Sequence, residues 1–547
     1  CRWSTRGLLP MATEELETRE SDRQTSVDFD TDSIDPQNLK IGYIGGGSRL
    51  WALKLINDLA QTPELGGEVV LYDINIDSAR RNERFGEWIQ NQDDAVGDWT
   101  YTATDDQEET LRGADFVILS TQFPTKDTFK HDLDISKEYG IYHAVGATIG
   151  PGGIMRAMRT IPVYRDIAAS VREHCPDAWV LNYTNPMTFV TRALYEEYPD
   201  INALGFCHEV FHLQSLLASL VEEYHDVESV ARSDIDLNVK GINHYTWVDE
   251  AQWEGRDLMP LVDHHMEQDG VRREFTPVEM EDESGFVDNN QVTYELYDRF
   301  GVLPAAGDRH LVEYDPRFLS GEMPEDLLRW GIKRTTSEYR VNRWEQTMDR
   351  EELEEYLDNE SLADDDEVAT DILHALDSLK MTTPWSEKPD RVDSYMSGDA
   401  DYDFESSGEV IVDVLQALSG LKQFKTHVNL PNEGQMSGLP EDAVVETNAL
   451  LGQNSAKPLV AGELPRPVHS QVLTHVHTQE TIIEAAFDGY DLDHAFQGFL
   501  NDPQVKTLQV DVARDLFAEL IDAEQQFFQD WDLASSDVLA ESDEFSL

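Results

Sequence analysis

The stretch LKIGYIGGGSRLWALKLINDLA, Leu39 to Ala60, decides the fold. Its first six residues read as a buried strand, three glycines break it, and apolar residues then recur at helical spacing. A strand that turns through glycines into a helix is the setting in which backbone N–H groups and a helix N-terminus hold a pyrophosphate. Gly45, Gly47 and Ser48 are therefore candidate dinucleotide contacts. The third glycine of the usual fingerprint would fall at position 50, where this chain has Leu50. The next strand, EVVLYDI, carries Asp73 near its end, at about the spacing where an acid accepts from a ribose 2′-hydroxyl. An acid there suits NAD over NADP, whose 2′-phosphate it would repel.

Outward from this stretch the alternation continues. A helix rich in Arg and Glu, the segment YTATDD and the strand ADFVILST follow. Then come a glycine-rich loop, a helix from about Ile154, the strand WVLNYTN, a helix after Pro186, and the strand NALGFC that delivers Cys207. Strands alternating with helices predict a parallel α/β sheet. After residue 235 the pattern changes to longer helices in a mixed α/β region. The chain thus divides into a polar, acidic arm (1–37), a Rossmann-like nucleotide-binding domain (38–235) and a C-terminal domain (236–547). The last carries an acidic insertion near 345–370, and no internal repeat is evident.

Acids outnumber bases 108 to 42, for a net charge of −66, and only 13 of the bases are lysine. An acid-rich, lysine-poor surface resembles the proteins of salt-in halophilic archaea. Its self-repulsion destabilises a compact state in dilute buffer, but at ~1 M salt the Debye length falls to ~3 Å. Such a surface argues against nucleic acid or an anionic membrane as partner. The hydrophobic fraction of 40% supports a sizeable core. Three cysteines (Cys1, Cys175, Cys207) are too few for a disulfide framework, which points to a reducing, cytoplasmic setting. No run of ~18 apolar residues is long enough to span a membrane. The opening CRWSTRGLLP is too short and broken for a signal peptide; residues 1–10 read as an upstream over-run before Met11.

Five further motifs carry chemistry. Gly150-Pro151-Gly152-Gly153 leads into a helix with Arg156 and Arg159, either an anion site or a plain loop with a structural ion pair. Asn182 to Met187 (NYTNPM) sets Asn185 at a strand's carboxyl end, facing the ligand crevice of α/β folds or capping the next helix. Cys207-His208 opens on the same crevice, and GINHYTW adds His244. A Cys/His pair with open positions suits a divalent metal, although a buried cysteine is more often inert packing. Gly307-Asp308-Arg309-His310 gathers three ionisable groups behind a glycine, which in a cleft would provide a base with an anion partner. Finally, His208 to His212 (HEVFH) matches the zinc-protease pattern H-E-x-x-H, with Glu222, Glu223 or Glu228 as a notional third ligand. Its position behind a cysteine, at a strand end of a nucleotide-binding fold, speaks against that reading.

Taken in order, KIGYIGGGS, LYDI, GPGGIMRAMRTIP, NYTNPM, GFCHEV, GINHYTW, GDRH, NEGQMSGLPEDAVVE and NDPQV resemble glycoside hydrolase family 4, and the match covers most of residues 39–515. The family stands apart from the usual two-carboxylate glycosidases. The resemblance implies an α/β fold with an LDH-like Rossmann NAD-binding domain, followed by a mixed α/β catalytic and oligomerisation domain. It also implies a divalent metal, usually Mn²⁺, and a homo-oligomer, dimer or tetramer. By motif match Cys207 and His244 are metal ligands, Asn185 contacts sugar hydroxyls, His208 holds the proton-donor position, and Asp308 is the base that removes the C2 proton. The implied reaction is oxidation at C3 by NAD, C2 deprotonation, elimination of the glycosidic oxygen, water addition and re-reduction. The sequence CHEV resembles the α-galacturonidase group, which implies an α-linked uronic acid from pectin as substrate. Its carboxylate calls for a cation, and Arg309 and Arg156 are the candidates. Glu209 has no evident role beside an anionic sugar unless it binds a hydroxyl. An α-glucuronide, α-galactoside or α-glucoside substrate within the family, or a plain NAD-dependent sugar dehydrogenase, are the alternatives.

Overall fold

Six short strands follow the alternation read from the sequence: β1 (Leu39–Ile44), β2 (Gly66–Tyr72), β3 (Asp98–Thr104), β4 (Phe116–Leu119), β5 (Trp179–Asn182) and β6 (Asn202–Gly205). They run parallel in the order β3-β2-β1-β4-β5-β6. This is the doubly wound arrangement, whose strand order reverses between β1 and β4, the switch point at whose carboxyl ends such folds bind ligands. The computed structural model describes residues 34–123, 126–225, 227–276, 289–319, 329–332, 335, 391–542 and 544–545.

Helices α1 (Trp51–Ala60), α2 (Ile76–Gln90), α3 (Gln107–Leu111), α4 (Lys126–Glu138), α5 (Gly150–His174), α6 (Met187–Glu197) and α7 (Glu209–His225) link or follow these strands. Successive residues of β4 show why both faces of the sheet are covered. Phe116 and Ile118 pack with Leu53 and Ile56 of α1, while Val117 and Leu119 pack with Met158 and Ile161 of α5. A strand buried on both faces has no need of a polar alternation, and β4 and β5 have none. Helix α5 begins at Gly150, four residues before the start expected at Ile154, with Pro151 in its first turn. Proline lacks the N–H that a first turn leaves unpaired anyway. The glycines of GPGG therefore build a helix start: a Cβ on Gly153 would come within 2.4 Å of the Thr148 carbonyl carbon.

Beyond residue 235 the strands change direction. Strands β7 (Ile235–Ile242), β8 (Tyr245–Trp253), β9 (Arg256–Asp257) and β10 (Leu303–Pro304) make a small antiparallel sheet. Near it lie α8 (Met259–Met266), α9 (Gln291–Phe300) and α10 (Asp308–Tyr314). Past α11 (Ile411–Leu418), strands β11 (Phe424–Pro431), β12 (Val444–Gly452) and β13 (Ser455–Pro458) return to the main sheet and extend it antiparallel from β6 to nine strands. Helices α12 (Arg466–Phe487), α13 (Leu492–Asn501) and α14 (Val510–Asp522) then cover the face formed by α5 and α6 through Ile482, Phe499 and Phe517. The sequence change at 235 is thus a change of strand direction, while the described residues from Ile34 onward form one compact unit.

Of the expected acidic arm, residues 34–37 belong to this body: the Gly66 N–H donates to the Pro36 carbonyl at 2.9 Å, and Ile34 packs on the core. Residues 1–33 and the acidic insertion at 345–370 lie outside the described residues. Among those described, no helix is long and apolar enough to cross a membrane.

One buried ion pair ties α5 to α4. Arg159 donates to Asp132 through both guanidinium nitrogens Nη1 (3.0 Å to Oδ1) and Nη2, and both side chains are sealed from solvent. Arg159 is therefore a structural partner of Asp132, the second of its two sequence readings. Removing one member of such a pair strands the other charge, so Arg159→Met should cost about 3–5 kcal/mol. Denaturant melts in multimolar KCl measure this, and a loss below about 1 kcal/mol would contradict it.

Candidate active site

The loop after β1 is shaped by close backbone approach. Gly45 has φ 92°, and a Cβ there would lie 2.1 Å from the Ser120 carbonyl oxygen. The Gly45 and Gly46 N–H groups both donate to the Tyr72 carbonyl, at 3.0 and 2.8 Å. Leu50 stands at the N-cap of α1 without a side-chain bond, and the first turn of the helix holds no acid. Ser48 Oγ accepts the Trp51 N–H at 3.2 Å. A helix start of this kind, without a capping side chain or an acid, suits an anion. Asp73 sits at the rim of this loop, accepting the Gly47 N–H at 2.9 Å and the Asn75 N–H at 2.8 Å. Beside it Ile74 is 88% exposed, an apolar face next to the acid. Gly45, Gly47, Ser48 and Asp73 thus form one cluster, as the sequence suggested.

The second cluster lies past the end of β6. Cys207 is buried, and its carbonyl accepts from His427 Nε2 at 2.8 Å. Burial, then the Glu446 and Glu209 carboxylates, push its thiol well above the ordinary range. His244 occupies the two-residue turn between β7 and β8 at φ 62°, a left-handed conformation that costs a non-glycine residue roughly 1–2 kcal/mol. Its surroundings hold it there. Thr148 Oγ1 lies 3.0 Å from His244 Nδ1, and the Tyr314 hydroxyl donates to the Asn243 carbonyl at 2.7 Å. The Asn243 side chain donates to Glu446 Oε2 at 3.1 Å and also bonds Cys207. Burial and the neighbouring His310 depress His244 well below an ordinary histidine, so its imidazole is neutral.

Glu209 joins the two halves of this site. It begins α7, and its Oε2 accepts the Gly307 N–H at 2.7 Å while lying 3.2 Å from His310 Nδ1. The His310 ring faces that of His244, with centroids 3.8 Å apart. Burial alone would raise the Glu209 carboxyl, but His310, His244 and His208 hold it well below its ordinary value. His208 is exposed, its ring 5.9 Å from Trp51 and 5.7 Å from His212. The protein around it lowers its pKa even so, against the pull of Glu209. Single ligand atoms of Glu209, His244 and His310 lie within 4.8 Å of one another, and so do those of His208, Glu209 and His212. These imidazoles and the Glu209 carboxylate make a donor set that suits a divalent metal, and Cys207 belongs to neither group.

The remaining sequence candidates separate. Arg156 is half-buried and donates from Nε to the Asn185 carbonyl at 3.1 Å, so both stand at the carboxyl end of β5. Burial and the charge of Arg159 lower Arg156 to about 10. Asn185 Oδ1 accepts the N–H of Met187, the first residue of α6, at 3.2 Å, and its amide nitrogen donates to no acceptor among the described residues. Arg309, the other cation expected to meet a carboxylate, is buried and instead donates to the Ala144 carbonyl and to Thr335 Oγ1. Asp308, expected as the C2 base, is the first residue of α10. It is fully buried, and its carboxylate accepts the Val292 N–H (3.1 Å), the Thr293 N–H (2.8 Å) and the Thr293 hydroxyl (2.8 Å). It caps α9, which satisfies donors that a helix start leaves open.

Sequence reasoning missed Glu446, Asn243 and Thr148. Glu446 is buried beside Cys207, and burial pushes it up to about 7. It closes the quoted run NEGQMSGLPEDAVVE, so the residue was in view, but nothing in the spacing ties it to Cys207. Thr148 gave no signal at all.

A dinucleotide-type loop after β1 and a His/Glu cluster past β6, both beyond the carboxyl ends of strands in one doubly wound sheet, define a nucleotide-dependent enzyme with a metal-type centre. The chain belongs to the family 4 glycosyl hydrolases: residues 40–223 match the model of that family, and residues 239–505 that of its C-terminal domain. It is 39% identical over 500 residues to an alpha-galacturonidase of Thermoanaerobacterium saccharolyticum, covering 90% of this chain and 97% of that protein. The crystal structure of Bacillus subtilis lplD superposes with a TM-score of 0.74 at 34% identity, covering 88% of this chain and all of that one. A 6-phospho-alpha-glucosidase from gut microorganisms, solved with NAD and Mn²⁺, shares the fold at a TM-score of 0.68 and 18% identity, covering 90% and 99%.

Two substitutions separate structure from chemistry here. Asp308→Ala leaves the three donors at the start of α9 without their acceptor and should cost about 2 kcal/mol or more. A variant with full thermal stability but no activity would restore Asp308 as a base. Glu446 has a folded pKa near 7 against an ordinary value of 4.5, so the fold holds a proton that the unfolded chain releases. Its contribution is therefore full below about pH 4.5, falls as pH rises, and is gone above about 7. In metal-free protein Glu446→Gln should match the parent near pH 4 and exceed it by up to about 3 kcal/mol above pH 7. A difference independent of pH would rule out the buried acid.

Proposed function

We propose that this chain is an α-galacturonidase that works with NAD and a divalent metal such as Mn²⁺. The observation that carries the reading is the 39% identity, over nearly the full length of both chains, to the galacturonidase of T. saccharolyticum. The crevice geometry supports it. Arg156 is a half-buried cation with one modest internal partner, and a substrate carboxylate would complete its coordination. Arg309 is engaged elsewhere, which leaves Arg156 as the residue that reads the uronate.

When bound, NAD supplies a reversible hydride acceptor for sugar C3, and the metal supplies Lewis acidity toward the sugar oxygens. The protein's part is to hold and orient. The glycine turn from Gly45 to Gly47, Ser48 and the open start of α1 receive the pyrophosphate, Asp73 accepts from the ribose hydroxyls, and Ile74 gives the base an apolar face. Cys207 and His244 hold the metal, with the strained turn fixing His244 in place. Asn185 turns its unengaged amide nitrogen toward a sugar hydroxyl. His208 stands at the mouth, where the leaving glycosidic oxygen would depart, and delivers its proton there. A uronate at Arg156 adds negative charge to the crevice, which raises His208 from its depressed value toward the protonated form. Asp308 acts only from behind, by holding α9.

The test is p-nitrophenol release from its α-galacturonide in multimolar KCl with a thiol reductant, with and without NAD⁺ and Mn²⁺. Cleavage should need both additions and leave no net NADH. Arg156→Met should raise KM about tenfold or more for the uronide, in keeping with loss of a charge-assisted pair of roughly 1.5–3 kcal/mol. Preference for an α-galactoside or α-glucuronide would overturn the substrate assignment, and net NADH would replace the hydrolase with a dehydrogenase.

A further inference from the structure

We propose that Arg309 and Glu313 are positioning residues: from one turn of α10 they grip the buried loop at 144–146 and so hold Thr148 against the His244 ring. This deepens the functional reading above and rests on it only in taking His244 as part of the active site. The argument starts from a loop in an unusual place. Residues 143–146 and 148–150 are buried, and Ala144 and Ile149 pack with Leu311 and Val312 of α10 in one apolar core. Connecting segments normally run over the surface, because a buried loop must find partners for backbone groups that no helix or strand satisfies.

Here one helix turn supplies them. Glu313 Oε1 accepts three successive N–H groups, those of Ala144 (3.0 Å), Val145 (2.8 Å) and Gly146 (2.7 Å). One turn earlier on α10, Arg309 Nη2 donates to the Ala144 carbonyl and, at 2.9 Å, to Thr335 Oγ1. The loop is therefore gripped through its N–H groups by an acid and through a carbonyl by a base, four residues apart on one helix. The grip uses the reach of Glu313, since its second oxygen, Oε2, makes no hydrogen bond among the described residues.

Two residues past the grip, Thr148 Oγ1 lies 3.0 Å from His244 Nδ1. Two residues further, Asp502 accepts the Gly150 N–H at 3.2 Å. Thr148 thus stands between two anchored points, and its hydroxyl meets a histidine already held in a strained turn. A displacement of ~1 Å at a site of this kind costs about 100-fold in rate. Arg309 gains a task that does not require it to touch the sugar.

The experiment uses the full-length protein in multimolar KCl. It reads hydrogen exchange at 144–148 and kcat on the glycoside that the parent cleaves. Glu313→Asp keeps the charge but withdraws the carboxylate by about 1.5 Å. It should speed exchange at 144–146 about tenfold or more and lower kcat about 30-fold or more. Glu313→Gln keeps the reach, and should retain slow exchange and about a third of the parent kcat. Thr148→Val should lower kcat by itself and cause no further loss on top of Glu313→Asp, because both act on one contact. NAD⁺ affinity should stay within about twofold throughout, which a general loss of structure would not allow. If Glu313→Asp fails to fold, Arg309→Met takes its place, with faster exchange and about a tenfold loss of kcat expected. Parent-like exchange in these variants, or faster exchange with parent-like kcat, overturns the inference. So does an active Asp variant beside an inactive Gln variant, which would make Glu313 a charge partner of His143, whose Nδ1 lies 3.5 Å from Oε1. A parent that cleaves a different glycoside corrects the functional reading and leaves the comparison standing. If the parent cleaves none, that reading falls, and exchange alone upholds or overturns the grip.

Discussion

The Glu209 carboxylate is where the two halves of the site meet. It is carried by the helix after the last parallel strand, and it accepts from Gly307 and His310, which belong to the antiparallel region. Its contacts with the Gly307 N–H and the His310 ring hold that imidazole beside His244, together with the bonds of Asp308 and Arg309 in the same loop. A buried carboxylate is ordinarily a cost. Here three histidines outweigh the burial and keep it ionised, so the same charge that pins the loop also conditions its neighbours.

His244 shows the complementary constraint. A two-residue turn usually carries glycine or asparagine where φ is positive, yet this chain places a buried histidine there. The surrounding bonds from Thr148, Tyr314 and, through Asn243, Glu446 hold that conformation. Strain at one residue is thus balanced by its neighbour Asn243 and by three others drawn from distant parts of the sequence. Such an arrangement fixes where a side chain points more tightly than a relaxed turn would.

The parallel half of the fold was legible because its signal is local. Each strand of β1 to β6 is an apolar run bounded by turn residues, and the Gly45–Asp73 cluster falls within one β-α-β unit. The return of β11 to β13 was not legible, since the pairing of β11 with β6 depends on partners far away in sequence. The same limit applied to the site. Cys207, His208 and His244 could be picked out by residue type and by family motif. Whether a charged residue faces the crevice or a helix end is decided by its tertiary partners. Arg156 and Arg309 look equivalent as letters, but one meets the Asn185 carbonyl at a strand end and the other is clamped between Ala144 and Thr335. Asp308 looks like a base beside Arg and His, and three donors from α9 make it a cap.

The antiparallel extension also bears on how the chain is made. Strand β6 pairs with β11 through Gly205 and Asn429, about 220 residues further on. Synthesis at ~5–20 residues per second leaves that edge of the sheet bare for roughly 10–45 s after β6 has left the ribosome. Throughout that interval the nascent chain presents an open row of N–H and C=O groups next to Cys207, a template for mispairing with other strands. The dense negative charge of the chain works against such encounters by keeping copies apart. The order of the strands thus makes the acidic composition useful during biogenesis as well as in the finished enzyme.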